Sequence, residues 1–316
     1  MSHGTLDPEK LEIGIHRTWL PSRLRPRRHL VILSFLPLAA VALLLLLMNR
    51  TRHTASPINA VQTGSAHHLQ PIGGGVKLRI MALGDSITAG TVSRDESKSK
   101  RPAVHGYRQS LRDKIMATGV HSDDIDFIGS KSADDVLDME HEGWPNEKIR
   151  KILGHVSKSK QLRNHPNLVL IHAGTNDMND SPKEAPYTEA HLRLDTMLDE
   201  IFCQVPETVV VISKIIKNGW QQARTDQYNA KLTQLVIDRQ QAGFKVLLAD
   251  HSGIKPGPDK THPSDAGYER MAKNWMKALK AIPKGWLDEP HPAVDITQTC
   301  HSTAKSPLNW HEELDT

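Results

Sequence analysis

The sequence predicts an α/β fold built on a five-stranded parallel sheet with helices on both faces. Five short apolar runs recur between residues 78 and 250, and stretches with helical spacing of apolar residues separate them. Short, almost wholly apolar runs are typical of strands buried on both faces, as in parallel sheets. In such sheets functional side chains collect at the carboxyl ends of the strands. The polar residues that directly follow each run are therefore the candidates for chemistry.

The strands and helices are assigned from these two patterns. The apolar runs predict strands at residues 78–83, 125–129, 168–174, 208–213 and 245–250. Apolar residues spaced three and four apart predict helices at residues 106–118, 146–162, 188–203, 222–242 and 265–281. No internal repeat interrupts the alternation, which indicates one α/β domain.

An uncharged apolar run at residues 30–48 predicts a membrane anchor. A helix of these 19 residues rises about 28 Å, which is close to the hydrocarbon thickness of a bilayer. The run is longer and begins later than the apolar core of a cleaved secretory signal. Five arginines lie between residues 17 and 28, ahead of the run, so we expect the N-terminus to be cytosolic. The remainder of the chain is then lumenal or extracellular.

The domain organisation follows from this anchor and from the alternating region. The formal net charge of +4 includes the basic cluster ahead of the apolar run, and such a cluster sets the orientation of a membrane segment. The charge is therefore not a signal for nucleic-acid binding, and we expect no nucleic-acid partner. Cys203 and Cys300 are too few for a disulfide framework or a four-cysteine zinc site, and both a pair and two free thiols stay open. The C-terminal tail offers Trp286 and Trp310 for packing on the domain. The predicted segments are a cytosolic basic tail (1–29), a transmembrane signal-anchor helix (30–48), a stalk or linker (49–76), the α/β domain (77–282) and a C-terminal tail (283–316).

A candidate nucleophile follows the first predicted strand, in the sequence Gly84-Asp85-Ser86. A serine hydroxyl becomes a nucleophile when a base takes its proton, and it must be presented on a tight turn. Neighbouring glycines supply the backbone freedom for that turn. The alternative is an ordinary Gly-Asp turn without chemistry.

A side-chain amide and a carboxylate, Asn176 and Asp177, follow the third predicted strand. The Asn176 amide can donate a hydrogen bond to a developing oxyanion. The alternative is that one of these residues caps a helix.

An aspartate and a histidine three residues apart, Asp259 and His262, follow the fifth predicted strand. Imidazole is the natural base near neutral pH, and a carboxylate holds its ring in the required tautomer. The same spacing also occurs at Asp138/His141 and Asp288/His291, but only Asp259/His262 falls between a predicted strand and a predicted helix. The three polar blocks thus follow strands one, three and five, which predicts a Ser-His-Asp hydrolase.

The motifs GDSITAG (84–90), GTND (174–177) and DKTHP (259–263) resemble the first, third and fifth blocks of SGNH (GDSL-like) hydrolases. The resemblance covers about residues 77–282 and implies a flavodoxin-like three-layer α/β/α sandwich. It implies that Ser86 is the nucleophile and first oxyanion donor, that Asn176 is a second donor, and that His262 and Asp259 complete the triad. The chemistry of the family requires no metal and no organic cofactor.

The second block departs from the family pattern. Residues 141–149, HEGWPNEKI, look like the His-Glu-Gly…Pro-Gly…Ile pattern of acetyl xylan esterases of carbohydrate esterase family three. In that register Asn146 stands where the family has the glycine whose N–H completes the oxyanion hole. Gly143 is the alternative donor. Residues 106–108 and 126–130 also resemble that subfamily, which implies a carbohydrate O-acyl substrate.

We therefore expect a serine esterase that hydrolyses O-acyl esters, in particular O-acetyl esters, on carbohydrate. One alternative is a catalytically weak, carbohydrate-binding membrane protein of the same fold. Another is a lipid-directed lipase or thioesterase. The chain has only four Phe and four Tyr and no broad apolar loop near the motifs, which argues against this alternative. The expected partners are a small acyl ester or acylated carbohydrate and, through residues 30–48, a membrane.

Overall fold

A computed structural model of the chain describes residues 70–93, 105–132, 139–179 and 186–293. The described chain forms a wholly parallel sheet flanked by helices. Its strands are β1 (Leu78–Gly84), β2 (Ile125–Ile128), β3 (Glu142–Gly143), β4 (Leu168–His172), β5 (Val209–Lys214) and β6 (Val246–Asp250). Its helices are α1 (Ser86–Ala89), α2 (Arg108–Met116), α3 (Ile149–Ser159), α4 (Thr175–Met178), α5 (Ala190–Gln204), α6 (Gln222–Gln241) and α7 (Asp265–Lys280).

The strand order is β2-β1-β4-β5-β6, and all five predicted strands are confirmed. With β3 set aside, this is the 2-1-3-4-5 order of flavodoxin-like doubly wound sheets. The strand order changes direction at β1, between β2 and β4, so a crevice opens at the carboxyl end of β1. Gly84, the last residue of β1, is in register with His172, the last residue of β4.

A sixth strand of two residues, β3, was not predicted. It pairs in parallel with the end of β1, with Gly143 opposite Gly84. Two residues carry no periodicity from which a strand could be inferred. The pairing brings the second sequence block to the same edge of the sheet as Ser86.

Apolar side chains of each strand alternate between two cores, one on each face of the sheet. Along β1, Ile80 and Ala82 pack with helices α2 and α7, whereas Met81 and Leu83 pack with helices α3, α5 and α6. The first core contains Trp275 of α7, the largest fully buried side chain among the described residues. Burying a Leu, Ile or Met side chain stabilises a fold by about 1.5–3 kcal/mol, so the two layers hold the strand ends in fixed positions.

The five predicted helices are present, and their ends lie within three residues of the predicted ones. The largest difference is at α3, predicted from residue 146 and observed from Ile149. Asn146 has a positive φ of 65°, and Lys148 is extended, so the helix begins only after them. Outside the predicted bounds 77–282, Ile72 and Leu287 are buried in the first core, and Trp286 packs against it as expected.

None of the helices in the described ranges is long and apolar enough to cross a membrane. The predicted membrane segment, residues 30–48, lies outside those ranges, as do Cys300 and Trp310. The membrane anchor therefore stays a prediction.

Candidate active site

Ser86 lies on a tight turn between β1 and the short helix α1. The last residue of β1, Gly84, is packed so closely that a Cβ there would lie 2.1 Å from the carbonyl oxygen of His172, so only glycine fits. Asp85, which is fully buried, caps the helix by accepting the N–H of Ile87 at 3.0 Å. The turn thereby presents Ser86 at the carboxyl edge of the sheet.

A tyrosine from another element holds the far end of this turn. The Tyr268 hydroxyl lies 3.1 Å from the carbonyl oxygen of Ile87 and 2.5 Å from that of Thr91. Gly90 ends α1 with a φ of 101°, a left-handed conformation that favours glycine. Tyr268 lies in the first turn of helix α7, and no pattern in the sequence predicts a role for its hydroxyl.

Asp259 and His262 form a closed unit on the loop between β6 and α7. One carboxylate oxygen of Asp259 accepts the backbone N–H groups of Thr261 at 2.9 Å and His262 at 2.8 Å. The other oxygen lies 2.7 Å from Nδ1 of His262. The Gly257 N–H closes the loop by donating to the carbonyl oxygen of His262 at 2.8 Å. The carboxylate thus fixes both the loop backbone and the imidazole ring.

The hydrogen bonds of Asp259 keep its carboxyl group ionised. Partial burial alone would raise the pKa of Asp259, but hydrogen bonds from the His262 and Thr261 backbone and from the His262 and Ser93 side chains outweigh it and lower the pKa. The Ser93 hydroxyl also accepts the Asp259 backbone N–H at 2.9 Å. Sequence reasoning did not identify Ser93, which follows the Ser86 turn without any motif.

The Ser86 hydroxyl and the His262 ring meet across the crevice. Ser86 Oγ lies 2.8 Å from His262 Nε2, although the two residues are 176 positions apart in the chain. The Asp259 carboxylate at Nδ1 favours a proton on that nitrogen, which leaves Nε2 to accept the hydroxyl proton. Ser86 is only 6% exposed, so its hydroxyl is largely screened from bulk water. The three residues form a hydrogen-bonded Ser-His-Asp chain.

The second block is ordered by a buried glutamate. Glu142 accepts the Ser130 backbone N–H at 2.8 Å and the Trp144 indole N–H at 2.9 Å, so both of its carboxylate oxygens are hydrogen-bonded. The backbone N–H of Trp144 donates to the carbonyl oxygen of Gly84 at 2.9 Å, directly before the Ser86 turn. The Gly143 N–H donates to a side-chain nitrogen of the same block, His141 Nδ1, at 2.9 Å. The block is therefore bonded to the nucleophile strand through Trp144.

Asn146 occupies the left-handed conformation that its place in the second block suggested. Its φ is 65°, and asparagine adopts this region more readily than most residues. Its backbone N–H has no hydrogen-bond acceptor among the residues that the structure describes. The next residue, Glu147, accepts the side-chain amide of Asn176 through its carbonyl oxygen at 2.8 Å. Asn176 is thus bonded to the residue that follows Asn146, and one Asn176 amide hydrogen is left for another acceptor.

A buried ion pair anchors the third block to the second. Asp177 accepts the Ile149 N–H at 3.0 Å, which caps helix α3, and lies 3.0 Å from the guanidinium of Arg193. Both side chains are almost fully buried. Removing one partner from a buried pair is strongly destabilising, because the other charge is left without compensation. Asp177 therefore holds the segment that carries Asn176, the capping role that the sequence offered as an alternative.

Two comparisons connect this geometry to characterised families. The sequence profile of the GDSL-like Lipase/Acylhydrolase family matches residues 82–270, which contain all the residues of the candidate site. A curated protein, the "Multidomain esterase" of Ruminococcus flavefaciens, is 25% identical in an alignment 249 residues long that covers 70% of this chain. The chain spans about 30% of the length of that curated relative.

The solved structures that resemble the chain include two carbohydrate esterases. The Clostridium thermocellum family 3 carbohydrate esterase is 26% identical, with a TM-score of 0.51 over 65% of this chain and 98% of its own. A carbohydrate esterase family 3 structure from Talaromyces cellulolyticus, at 22% identity, shares the fold with a TM-score of 0.51 over 65% of this chain and 100% of its own.

Proposed function

The chain belongs to the GDSL-like lipase/acylhydrolase family of carboxylic ester hydrolases, and we propose that it is a serine esterase that removes O-acetyl groups from carbohydrate. The observation that carries the proposal is the hydrogen-bonded chain from Ser86 through His262 to Asp259, at 2.8 and 2.7 Å. The C. thermocellum structure, a carbohydrate esterase by its name, supports the carbohydrate part of the substrate.

The proposed acylation step uses this chain of hydrogen bonds in order. Ser86 Oγ attacks the ester carbonyl carbon as its proton passes to His262 Nε2. The positive charge on the imidazolium is stabilised by Asp259, which stays ionised. The tetrahedral intermediate collapses as His262 gives the proton to the departing sugar oxygen. Ser86 Oγ then carries the acetyl group as an ester.

Deacylation repeats the sequence with water. His262 takes a proton from a water molecule as that water attacks the acetyl carbonyl carbon, and it returns the proton to Ser86 Oγ as acetic acid leaves and then ionises in solution. In both steps negative charge develops on the carbonyl oxygen. Preorganised donors that stabilise such charge contribute about 3–4 kcal/mol each to the transition state.

The proposed donors to that oxygen are the Ser86 N–H, the Asn176 side-chain amide and the Asn146 N–H. The hydrogen bond of Asn176 to the Glu147 carbonyl oxygen supports this set, because it restrains the amide and leaves a second amide hydrogen available. The positive φ of Asn146 and its uncommitted N–H favour it over Gly143, whose N–H is held by His141.

Ser86→Ala in the full chain tests the nucleophile. Hydrolysis of a small acetyl ester should fall by a factor of about 10⁴ or more, because triad members act as one unit. Circular dichroism and the melting temperature should be unchanged, since the substitution removes one oxygen. A serine-directed phosphonate should label the wild type at Ser86 and leave Ser86→Ala unlabelled. Equal activity in the two proteins would overturn the proposed function.

A panel of acyl chains tests the acyl group. We expect acetyl esters to be hydrolysed faster than octanoyl or palmitoyl esters of the same alcohol. The opposite order would point to the lipid-directed activity that the sequence offers as an alternative. If the wild type does not react with the phosphonate but still binds carbohydrate, the protein would instead be a carbohydrate-binding protein.

We also propose that residues 30–48 anchor the esterase in a membrane with the catalytic domain on the lumenal or extracellular side. The proposal is supported by the length of the uncharged run and by the arginines that precede it. Protease added to sealed membranes tests it. Digestion of the catalytic domain from the cytosolic face would contradict the orientation.

A further inference from the structure

An exposed tryptophan lies beside the catalytic loop and has no part in the mechanism above. Trp220, in the loop between β5 and α6, is 61% exposed, the largest value among the exposed large apolar side chains of the described residues. Burying an indole of this size would contribute to stability, so folding alone does not account for its exposure.

Hydrogen bonds from the ring nitrogen and from the backbone N–H hold Trp220 in place. Its Nε1–H donates to the carbonyl oxygen of Asp259 at 3.2 Å, and its backbone N–H donates to the Asn218 side chain at 2.9 Å. The preceding Gly219 donates its N–H to the carbonyl oxygen of Lys260 at 2.8 Å. A Cβ on Gly219 would lie 2.5 Å from the Lys260 Cβ, so a glycine here allows the two loops to touch.

The Lys260 ammonium group lies 4.5 Å from the centre of the Trp220 ring, in a cation–π contact. Neither this contact nor the Nε1 hydrogen bond buries the ring, as its exposure shows. A rigid aromatic side chain of this kind offers a large contact area at little cost in conformational entropy. The arrangement suits a ligand that presents a flat, weakly polar face.

Trp220 is connected to both sides of the catalytic crevice. On one side its indole N–H donates to the backbone carbonyl oxygen of Asp259, the residue whose carboxylate belongs to the proposed triad. On the other side the side-chain amide of Asn218 lies 3.4 Å from the side-chain oxygen of Asn179. The backbone N–H of Asn179 in turn donates to the carbonyl oxygen of Asn176 at 3.2 Å. Hydrogen bonds therefore link Trp220 to the loop that carries the proposed base and, through Asn218 and Asn179, to the short helix α4, which carries a proposed oxyanion donor.

We propose that Trp220 is the platform on which the sugar ring of an acylated carbohydrate stacks while its ester lies at Ser86. This inference rests on the proposed function and names the residue that would select the alcohol part of the substrate. A pyranose ring presents C–H groups on its faces and hydroxyls at its rim. The face fits the exposed indole, and the rim can remain hydrated.

The test compares sugar acetates with an ester that has no ring. Wild type, Trp220→Ala and Trp220→Phe are assayed on glucose pentaacetate, xylose tetraacetate and ethyl acetate in a pH-stat. We expect Trp220→Ala to lower kcat/KM for the sugar acetates roughly 10- to 100-fold, mainly through KM, as for truncation of a central aromatic contact. Hydrolysis of ethyl acetate should stay within about twofold. Trp220→Phe, which keeps a ring, should be intermediate.

A matched control separates the platform from general surface effects. Leu192→Ala removes an exposed apolar side chain from α5 and should change none of the three activities. Trp220→Phe separates the platform from the Nε1 hydrogen bond, because phenylalanine cannot donate to Asp259. If Trp220→Phe and Trp220→Ala lowered kcat equally on all three esters, Trp220 would act through Asp259 and the platform would be overturned.

The remaining outcomes each decide one proposal. Unchanged kinetics of Trp220→Ala on the sugar acetates would overturn the platform and leave the esterase intact. Trp220→Ala is also assayed on the octanoyl ester of the acyl-chain panel, and a loss of activity confined to that ester would overturn the platform in favour of an acyl-chain contact. A wild type that hydrolyses none of these esters, and behaves as Ser86→Ala does, would overturn the proposed function itself.

Discussion

Gly143 donates its backbone N–H to Nδ1 of His141, two residues earlier, at a distance of 2.9 Å. Burial, together with the nearby charges of Arg108 and Lys131, lowers the pKa of His141 to about 3, so the ring is neutral and Nδ1 can accept. The one N–H of Gly143 is therefore committed within its own block. In the proposed mechanism, the third oxyanion donor is Asn146.

Asn146→Gly should preserve activity. Glycine keeps the backbone N–H and adopts a φ of 65° without strain, so we expect kcat within about threefold of the wild type and an unchanged or slightly higher melting temperature. Asn146→Val should lower both, because a β-branched residue is an outlier at positive φ. Kinetics on a small acetyl ester and thermal unfolding measure the two effects. A large loss of kcat in Asn146→Gly would mean that the Asn146 side chain itself takes part.

Asn176→Ala should lower kcat by about 10²- to 10³-fold and leave KM nearly unchanged, because the lost amide acts on charge that develops only in the transition state. Asn274→Ala is a matched control, since Asn274 also donates its amide to a backbone carbonyl, that of Asp250 at 2.7 Å. Steady-state kinetics and unfolding of both variants are compared. A fall in stability without a fall in kcat would reassign Asn176 to a structural role.

Asp259→Asn should lower kcat by about 10³- to 10⁴-fold, because asparagine cannot stabilise the imidazolium and no longer fixes the tautomer of His262. The shape of the side chain is kept, and its oxygen can still accept the Thr261 and His262 N–H groups, so the fold should be retained. The variant should react more slowly with a phosphonate at Ser86. Wild-type rates of labelling would remove Asp259 from the triad.

Stability should fall as the pH drops below about 6.5, the ordinary pKa of histidine. Burial lowers the pKa of His141 to about 3 and also lowers those of His172 and His251, so these rings stay neutral in the folded protein. The unfolded chain takes up protons on them below pH 6.5, and the free energy of unfolding therefore decreases there by up to about 1.4 kcal/mol per pH unit for each ring. Above pH 6.5 neither state is protonated, and this contribution is constant.

Urea unfolding at pH 7.5, 6.0 and 5.0 measures that dependence. His251→Leu should reduce the slope by about one proton, because His251 is fully buried against Trp275, with ring centres 4.7 Å apart. Equal slopes in the wild type and the variant would show that His251 is protonated to the same extent in the folded and unfolded states.

The sequence alone predicted the strands because each is a continuous apolar run, buried on both faces of the sheet. It could not predict β3, whose two residues have no pattern, or the start of α3, which depends on the positive φ of Asn146. The predicted helix began at residue 146, three residues before Ile149, its first apolar position, and the local backbone conformation decides where the helix begins.

For the candidate site, strand-end position was the useful signal. This signal identified Ser86, Asn176 and the Asp259/His262 pair as candidates. In the structure, hydrogen bonds join Ser86, His262 and Asp259. Ser93 and Trp220 lie in loops, where neither spacing nor composition indicates which side chain turns toward the site. Their contacts to Asp259 depend on how distant loops pack, which a single sequence does not encode in a readable pattern.

Asp259 and His262 share one loop, closed on itself from Gly257 to His262, and this gives the site a modular construction. The acid–base pair is held within this loop, which we call the cassette (residues 257–263). Contacts with other parts of the chain dock the cassette, among them His262 with Ser86 at 2.8 Å, Asp259 with Ser93 at 2.9 Å and Lys260 with Gly219 at 2.8 Å. Residues 257–263 are thus a natural unit for transplantation between related scaffolds. Loss of activity before global unfolding would report that the cassette has separated from the nucleophile turn while each remains internally intact.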